Sequence, residues 1–305
     1  MIEARPFLTC LVYAVLALGL LFSLGPLYLV LCSASVPNQQ LLSHGAALLP
    51  GPDLIGNLQA VAQRSDIGRQ LFNSLMVASA VVIGKLLLSA ITAFAVVYFR
   101  SPFKPLIFWT VFATLLMPLE VRIIPTYAVA SNLFEPLQTI LQLTGLDEFV
   151  ANVAGIKITS SLNLLDTYAG LSLPLIASAT GTFLFLQFYQ TIPVELAEAA
   201  LVDGTGPLRF FFDILLPLSK TNFAALGTIA FISTWKDYMW PLVITSQEHM
   251  RTVTLGMASF LPAESGQWPE WNLLMAAALL AVIPPGIFIL LAQRWFVKAV
   301  VDIEK

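Results

Sequence analysis

The chain carries little charge for its length. Of its 305 residues, 11% are charged and 58% are hydrophobic, and the mean hydropathy is +0.83. Soluble globular chains are usually about a quarter charged. The polar groups are too few to cover a water-facing surface, so we expect the chain to lie in lipid.

Cysteine and histidine are scarce as well, with two of each. Cys10 and Cys32 fall on one predicted helix, about 33 Å apart along it, which is beyond the reach of a disulfide. His44 and His249 lie in predicted loops without a neighbouring His or Cys, so we expect no metal site. The phosphate-binding pattern G-x-x-x-x-G-K-[ST] is also missing, because residues 83–86 lack the upstream glycine and the final Ser or Thr. We predict no catalytic residue and no cofactor bound by this chain.

Long apolar stretches are abundant. A helix needs about 20 apolar residues, at about 1.5 Å each, to cross a hydrocarbon core of about 30 Å. The stretches do not alternate as barrel strands would, so the predicted fold is an all-α integral membrane protein, a single transmembrane domain over residues 1–305. The first stretch is longer than the apolar core of a signal peptide, so we expect a retained span, with cleavage as the alternative. The six predicted spans are residues 8–33, 72–98, 105–127, 169–189, 222–245 and 272–293.

Lysine and arginine predict the orientation, since they concentrate near span ends on the cytoplasmic side. With the N-terminus inside, inner segments carry eight of these residues and outer segments carry four. This count places both termini and the segment between the fourth and fifth spans in the cytoplasm. The inner residues are Arg5, Arg100, Lys104, Arg209, Lys220, Arg294, Lys298 and Lys305, and the outer ones are Arg64, Arg69, Lys157 and Arg251.

The densest charge lies in that inner segment, "VELAEAALVDGTGPLRFFFDILLPLSK", residues 194–220. Pro193 suits the first turn of a helix, and Gly204 can end the helix in a left-handed conformation. Thr205 is placed to cap a second helix that begins near Pro207. We predict helix, tight turn, helix. The alternative is a solvated loop whose charges only keep it out of lipid.

The spacing in this segment is specific: Glu198-Ala199-Ala200, three residues, Gly204, nine residues, Ile214, one residue, Leu216-Pro217. It resembles the "EAA" signature of the permease subunits of binding-protein-dependent ABC importers. The resemblance implies a coupling loop, residues 190–220, whose first helix docks on a separate ATPase that binds ATP and Mg. Closure of the ATPase would then swing the spans between inward-open and outward-open states. The implied coupling residues are Glu198, Ala199, Ala200, Asp203, Gly204, Ile214, Leu216 and Pro217.

The likeness extends along most of the chain. The stretch "LPLIASATGTFLFLQFYQTIPVELAEAALVDG" resembles the carbohydrate-uptake branch, and "PLEVRIIPT" and the final "VDIEK" resemble permeases of sn-glycerol-3-phosphate importers. The likeness implies uptake of that substrate, with a neutral sugar as the alternative. It also implies a second permease, two ATPases and a periplasmic binding protein in a Gram-negative inner membrane. Two positions depart from the family, Leu186 and Leu201, where relatives carry a basic residue, and residues 134–163 look like an outer insertion.

Charged side chains inside lipid are costly and usually mark a pathway or a buried pair. Lys236 is the charge most readily tied to substrate, and its aromatic neighbours would form either the wall of the route or an interfacial belt. For Lys85 a structural pair and a transport role both remain open. For Arg122 and Glu120, contact with the headgroups is favoured over a place in the pathway or in a buried pair. The predicted pathway residues are Lys236, Asp237, Trp235, Tyr238, Lys85 and Arg122.

Two other classes of membrane protein are less consistent with the sequence. A secondary transporter would usually show inverted repeats with interrupted helices in both halves, and no such repeat is visible. A structural or regulatory membrane protein gives no reason for the spaced signature.

Overall fold

The structure is a computed structural model that describes residues 6–144, 161–262 and 268–303. All regular secondary structure in these ranges is helical. The α-helices are α1 Pro6–Ala34, α2 Asn38–His44, α3 Leu54–Arg64, α4 Ile67–Tyr98, α5 Lys104–Leu116, α6 Leu119–Ser131, α7 Glu135–Thr144, α8 Tyr168–Ile176, α9 Ala179–Thr191, α10 Val194–Val202, α11 Pro207–Leu218, α12 Lys220–Trp235, α13 Met239–Ile244, α14 Val253–Met257 and α15 Trp271–Ile303.

Three uninterrupted helices are long and apolar enough to cross a membrane. They are Phe7–Ala34 in α1, Ile67–Tyr98 in α4 and Trp271–Gln293 in α15. Two bent pairs also qualify if each pair is counted as one span, α8 with α9 at 42° and α11 with α12 at 74°. The described residues therefore contain three to five candidate spans, in an all-helical membrane protein.

The third predicted span, 105–127, is not a continuous helix. Helix α5 ends at Leu116 and α6 begins at Leu119, after an extended Met117 with φ −82° and ψ 120°. The cause is Pro118, because a proline disfavours the helical conformation of the residue before it. The prediction of one unbroken helix over residues 105–127 was therefore wrong.

The fourth and fifth predicted spans are interrupted too. Between α8 and α9, the Ser178 side chain accepts a hydrogen bond from the Gly181 N–H and starts a new helix. Residues 222–245 contain most of α12 and all of α13, with a break at residues 236–238. At that break the Asp237 carboxylate faces the backbone N–H groups of Trp240, Met239 and Tyr238, as a residue that starts a helix does.

Residues 6–69 and 253–283 form one of two compact units. Most of α1 is exposed along its apolar length, while its C-terminal end joins a small core with Cys32 and Leu41. The buried Asn57 side chain donates to the carbonyls of Ala34 and Val36 and accepts from Asn272 Nδ2 at 2.9 Å. This amide satisfies the carbonyl of Ala34, the last residue of α1, which has no partner within the helix.

Residues 70–252 and 284–303 form the second unit. It has two apolar cores, an aromatic one that includes Phe94, Phe185 and Phe211, and a second around Leu171 and Trp240. Asn73 on α4 is fully buried. Its Nδ2 donates to the carbonyls of His249 and Arg251, and its Oδ1 accepts from the Tyr168 hydroxyl at 2.6 Å. The two candidate sites described below lie within this unit.

The outer segment expected to be an insertion, residues 134–163, is helical in part. Helix α7 covers Glu135–Thr144 and exposes its apolar side chains, among them Leu143. Residues 145–160, most of the expected insertion, lie outside the described residues, as do Arg5 and Lys305.

A candidate coupling segment and a cationic membrane cavity

The signature helix and its turn have a well-defined local geometry. Helix α10 starts after Pro193, and its end is closed by two hydrogen bonds, Gly204 N–H to Leu201 O at 3.0 Å and Thr205 N–H to Ala200 O at 2.8 Å. Gly204 has φ +72°, the left-handed conformation that glycine adopts cheaply. This pair of bonds around a left-handed residue is a Schellman motif, which satisfies carbonyls at the helix end.

The predicted cap of the next helix is wrong. Helix α11 begins at Pro207 with Gly206 before it, and no side chain caps it. Thr205 instead contributes its backbone N–H to the turn. Pro207 has no N–H to satisfy, which makes a side-chain cap less necessary at this helix start.

The two faces of α10 differ in what they contact. Ala200 is buried in the aromatic core, and Ala197 packs against the same core. Glu198 and Ala199 are exposed. Beyond them, Leu201 is 76% exposed and Val202 is 86% exposed. Apolar side chains this exposed beside charged ones favour contact with another protein.

Helix α11 carries the rest of the signature through an irregular turn. Residues Phe211–Leu215 form a π-helix, two residues before Pro217. Proline lacks an N–H and disturbs the helix that precedes it, and π-turns of this kind recur at functional sites. Ile214 packs on the aromatic core, while Leu216 and Pro217 line an apolar cavity of about 500 Å³ between α4, α12 and α15.

The second site is a cavity of about 570 Å³ in the same unit, lined by residues of α4, α5, α6, α8, α9, α12 and α13 and of the breaks between them. It collects three cationic side chains from distant parts of the chain, Lys85 on α4, Arg122 on α6 and Lys236 at the end of α12. Among the described residues, no carboxylate lies within ion-pair distance of any of the three. The Arg122 Nε is buried without a hydrogen-bond partner there.

The structure differs from the sequence prediction in where it places several of these residues. Arg122 lines the cavity with Lys85 and Lys236, two other predicted pathway residues, whereas contact with the headgroups was the interpretation favoured from the sequence; the side chain of Glu120 is not described. Asp237 and Tyr238 line the cavity with Lys236, because α12 ends at Trp235 and these residues lie in the break before α13. Trp235 does not line it, since its indole stacks on Phe231 at 5.6 Å and is buried.

One contribution to this cavity was missed in the sequence. The break at Ala177 and Ser178 turns the N-terminus of α9 towards the cavity, which Ala177, Ser178, Ala179 and Thr180 all line. The signal was present as Pro174 followed by Ser178 and Gly181, a proline and then a serine at cap spacing. The mainly apolar composition of residues 169–189 concealed it.

Leu186, one of the two departures from the family pattern, is 4% exposed and packs in the aromatic core. An apolar residue there needs no ion pair. Leu201, the other departure, is exposed beside the turn.

Comparison with known proteins identifies the family of this chain. Residues 85–302 match the family described as "Binding-protein-dependent transport system inner membrane component". The chain is 43% identical to the sn-glycerol-3-phosphate transport system permease protein UgpE of Yersinia enterocolitica and 42% identical to that of Agrobacterium fabrum, and each alignment covers all of both chains. A solved chain, from a bacterial ABC transporter involved in the import of the acidic polysaccharide alginate, superposes with a TM-score of 0.71. The superposition covers 97% of this chain and 99% of that one, at 16% identity.

The solved chain supports the fold alone, whereas the family match and the full-length relatives establish the kind of protein. The present protein is a multi-pass permease of the inner membrane and not itself an ATPase. The chain belongs to the family of inner-membrane components of binding-protein-dependent transport systems, the permease subunits of ABC importers.

Proposed function

We propose that this permease moves sn-glycerol-3-phosphate across the bacterial inner membrane by alternating access, driven by a partner ATPase. The full-length relatives named for this substrate support the proposal. The three cationic side chains of the cavity favour an anionic substrate over a neutral sugar, because a dianion gains most from converging positive charge.

In the proposed topology six spans cross the membrane and both termini lie in the cytoplasm. The broken pair α5 and α6 serves as the third span, beside α1, α4, α8 with α9, α12 with α13, and α15. Two 13-residue helices rise about 39 Å together, which is enough to cross the core even with a bend between them. The coupling loop, residues 190–220, then faces the cytoplasm.

The proposed complex contains a second permease of the UgpA type, two ATPases of the UgpC type and a periplasmic binding protein of the UgpB type. Membership of a binding-protein-dependent family supports an ATPase and a binding protein as partners. ATP and Mg are bound by the ATPase subunits.

The observation that carries the coupling role is the shape of α10 and its turn. The signature residues lie on a short helix that is closed by a left-handed glycine, packs one face on the aromatic core, and leaves Leu201 and Val202 exposed at its end. ATPase closure would push on this helix, and the core would pass the displacement to α4, α9 and α12. Glu198, Ala199 and Asp203 form the proposed docking surface, and Gly204, Ile214, Leu216 and Pro217 hold its geometry.

Co-purification tests this role. Val202→Glu places a charge on the proposed contact, so we expect the ATPase to be lost from the permease complex while the permease still reaches the membrane. Leu49→Glu is the matched control, since Leu49 is 77% exposed in another part of the chain. Full recovery of the ATPase with the Val202→Glu permease would refute docking at this turn.

A further inference from the structure

We propose that the cavity between α4, α6, α9 and α12 is a phosphate-binding site in this subunit, and that it holds the phosphate group of the substrate during translocation. The inference rests on the proposed function for the identity of the substrate. It assigns recognition of the charged end to named residues of this permease, chiefly Arg122, Lys85 and Lys236.

The first argument is charge. Three cations and one carboxylate line the cavity, and the carboxylate, Asp237, faces the N–H groups at the start of α13. The cavity therefore holds more positive than negative charge, and no other described carboxylate lines it to neutralise the excess. Charges of one sign inside a membrane protein are costly unless a partner is present, and a dianion that enters the cavity supplies that partner.

The second argument is the broken helix. Helix α9 is 13 residues long and begins at the cavity wall. The Ser178 side chain accepts from the Gly181 N–H, and the Thr182 N–H bonds to the Ser178 carbonyl. In the described structure the N–H groups of Ala179 and Thr180 have no such partner. Free N–H groups and the helix dipole at an N-terminus bind phosphate, and interrupted helices place such ends at the substrate sites of transporters.

The third argument is the guanidinium of the half-buried Arg122. Arg122 has its Nε buried without a partner among the described residues, and an unsatisfied buried donor costs free energy. A guanidinium presents donors in a planar fork that matches two phosphate oxygens. Arg122 therefore lacks a described acceptor of the kind that a phosphate would provide.

The fourth argument is size and the remaining wall. A volume of about 570 Å³ lies within the range of small-molecule sites, about 300–1,000 Å³. Ser233 and Thr234 line the same cavity. Their hydroxyls suit the two hydroxyl groups of a glycerol phosphate, so one cavity has groups for both ends of the substrate.

Uptake in proteoliposomes tests the proposal, with the complete importer, its binding protein and labelled sn-glycerol-3-phosphate. Arg122→Gln should lower uptake by about tenfold to a hundredfold, because a hydrogen bond to a charged group is lost. Stimulation of ATP hydrolysis by the loaded binding protein should stay within about twofold of the unaltered complex. Arg122→Lys keeps the charge and should recover part of the uptake. Arg100→Gln, which removes an exposed arginine outside the cavity, is the matched control.

Each outcome decides the proposal. Unchanged uptake in Arg122→Gln, with assembly intact, would overturn it. If Arg122→Gln does not assemble, Lys236→Gln decides by the same two measurements, because its side chain is exposed at the cavity. A phospholipid headgroup would also offer a phosphate to this cavity. In that case the variants would not change substrate uptake, and the ATP hydrolysis of the complex would depend on anionic lipid. That result also overturns the proposal. Absence of uptake by the unaltered complex, with ATP hydrolysis still stimulated by its loaded binding protein, would instead refute the proposed substrate.

Discussion

Gly204 illustrates how much one backbone angle matters in the coupling loop. Its φ is +72°, and a Cβ added there would meet nothing within 4 Å, so any cost of a side chain is conformational and not a clash. Gly204→Val should cost on the order of 1–2 kcal/mol in the turn and lower substrate uptake, while the protein level in the membrane is kept. Gly206→Val is the control, because Gly206 has φ −69° and equally open surroundings. Equal uptake by the two variants would contradict a role for the left-handed turn.

Asp166 is a second residue on which local geometry depends. It has φ +54°, and its carboxylate accepts from the Ser246 N–H at 2.8 Å, the Ser246 hydroxyl at 2.6 Å and the Gln247 N–H at 2.9 Å. Burial raises the pKa of Asp166, but these hydrogen bonds together outweigh it and hold the pKa below its usual value of 3.8. The charged form is therefore stabilising above that value, and the stabilisation is lost as the pH falls through the folded-state pKa.

Thermal unfolding of the purified complex at pH 7 checks this role of Asp166. Asp166→Ala should lower the unfolding temperature, since three donors lose their acceptor. Asp166→Asn should lower it less, because asparagine tolerates positive φ and keeps one acceptor oxygen. The difference from the unaltered protein should shrink in acid below pH 3.8. Equal unfolding temperatures for all three proteins at pH 7 would show that the carboxylate is dispensable.

Helix α9 approaches its neighbours closely at one glycine. A Cβ on Gly181 would lie 2.5 Å from Ser89 Oγ on α4 and 3.1 Å from Leu226 Cδ2 on α12. Gly181→Ala should therefore lower the unfolding temperature relative to Gly227→Ala. Gly227 has room for a Cβ, with its nearest atom at 3.4 Å, and alanine there gains helix propensity of about 1 kcal/mol. The opposite order of stability would mean that α9 does not pack as described.

Some helices of this chain could be predicted from the sequence and others could not, for physical reasons. Helices α4 and α15 agree with long apolar runs, and the prolines at 284 and 285 leave α15 uninterrupted. Pro118 breaks a run of similar appearance, because the residue before it became extended. Whether a proline bends or ends a helix depends on which neighbours satisfy the freed carbonyls, and those neighbours are distant in sequence.

The two sites show the same contrast. The coupling loop is local, so Pro193, Gly204 and Pro207 predicted a helix, a turn and a second helix. The cavity joins residues 85, 122, 178 and 236, and only tertiary packing brings these together. Lys236 and Arg122 were both identified as candidate pathway residues because a charge in an apolar run is conspicuous. Contact with the headgroups was nevertheless favoured for Arg122, because its distance from α4 could not be read from the sequence.

The orientation of the whole molecule is still a prediction from eight inner against four outer basic residues. Reporter fusions after Lys305 and within residues 205–209 should report the cytoplasm, and a fusion near Gln142 should report the periplasm. An external C-terminus would reverse the assignment of the coupling loop and remove the basis for ATPase docking.

Helix α4 connects the two sites in one piece. It has 32 residues and no proline, and it carries Lys85 at the cavity and, 13 residues later, Tyr98, whose ring lies 5.2 Å from that of Phe210 on α11. Phe94 on the same helix lies 5.2 Å from Phe211. The two attachment points are about 20 Å apart along a stiff rod, so a tilt of roughly 10° moves one end by about 3 Å relative to the other. A helix of this kind acts as a lever arm: a small displacement at the ATPase side would widen or narrow the cavity by about the diameter of a water molecule.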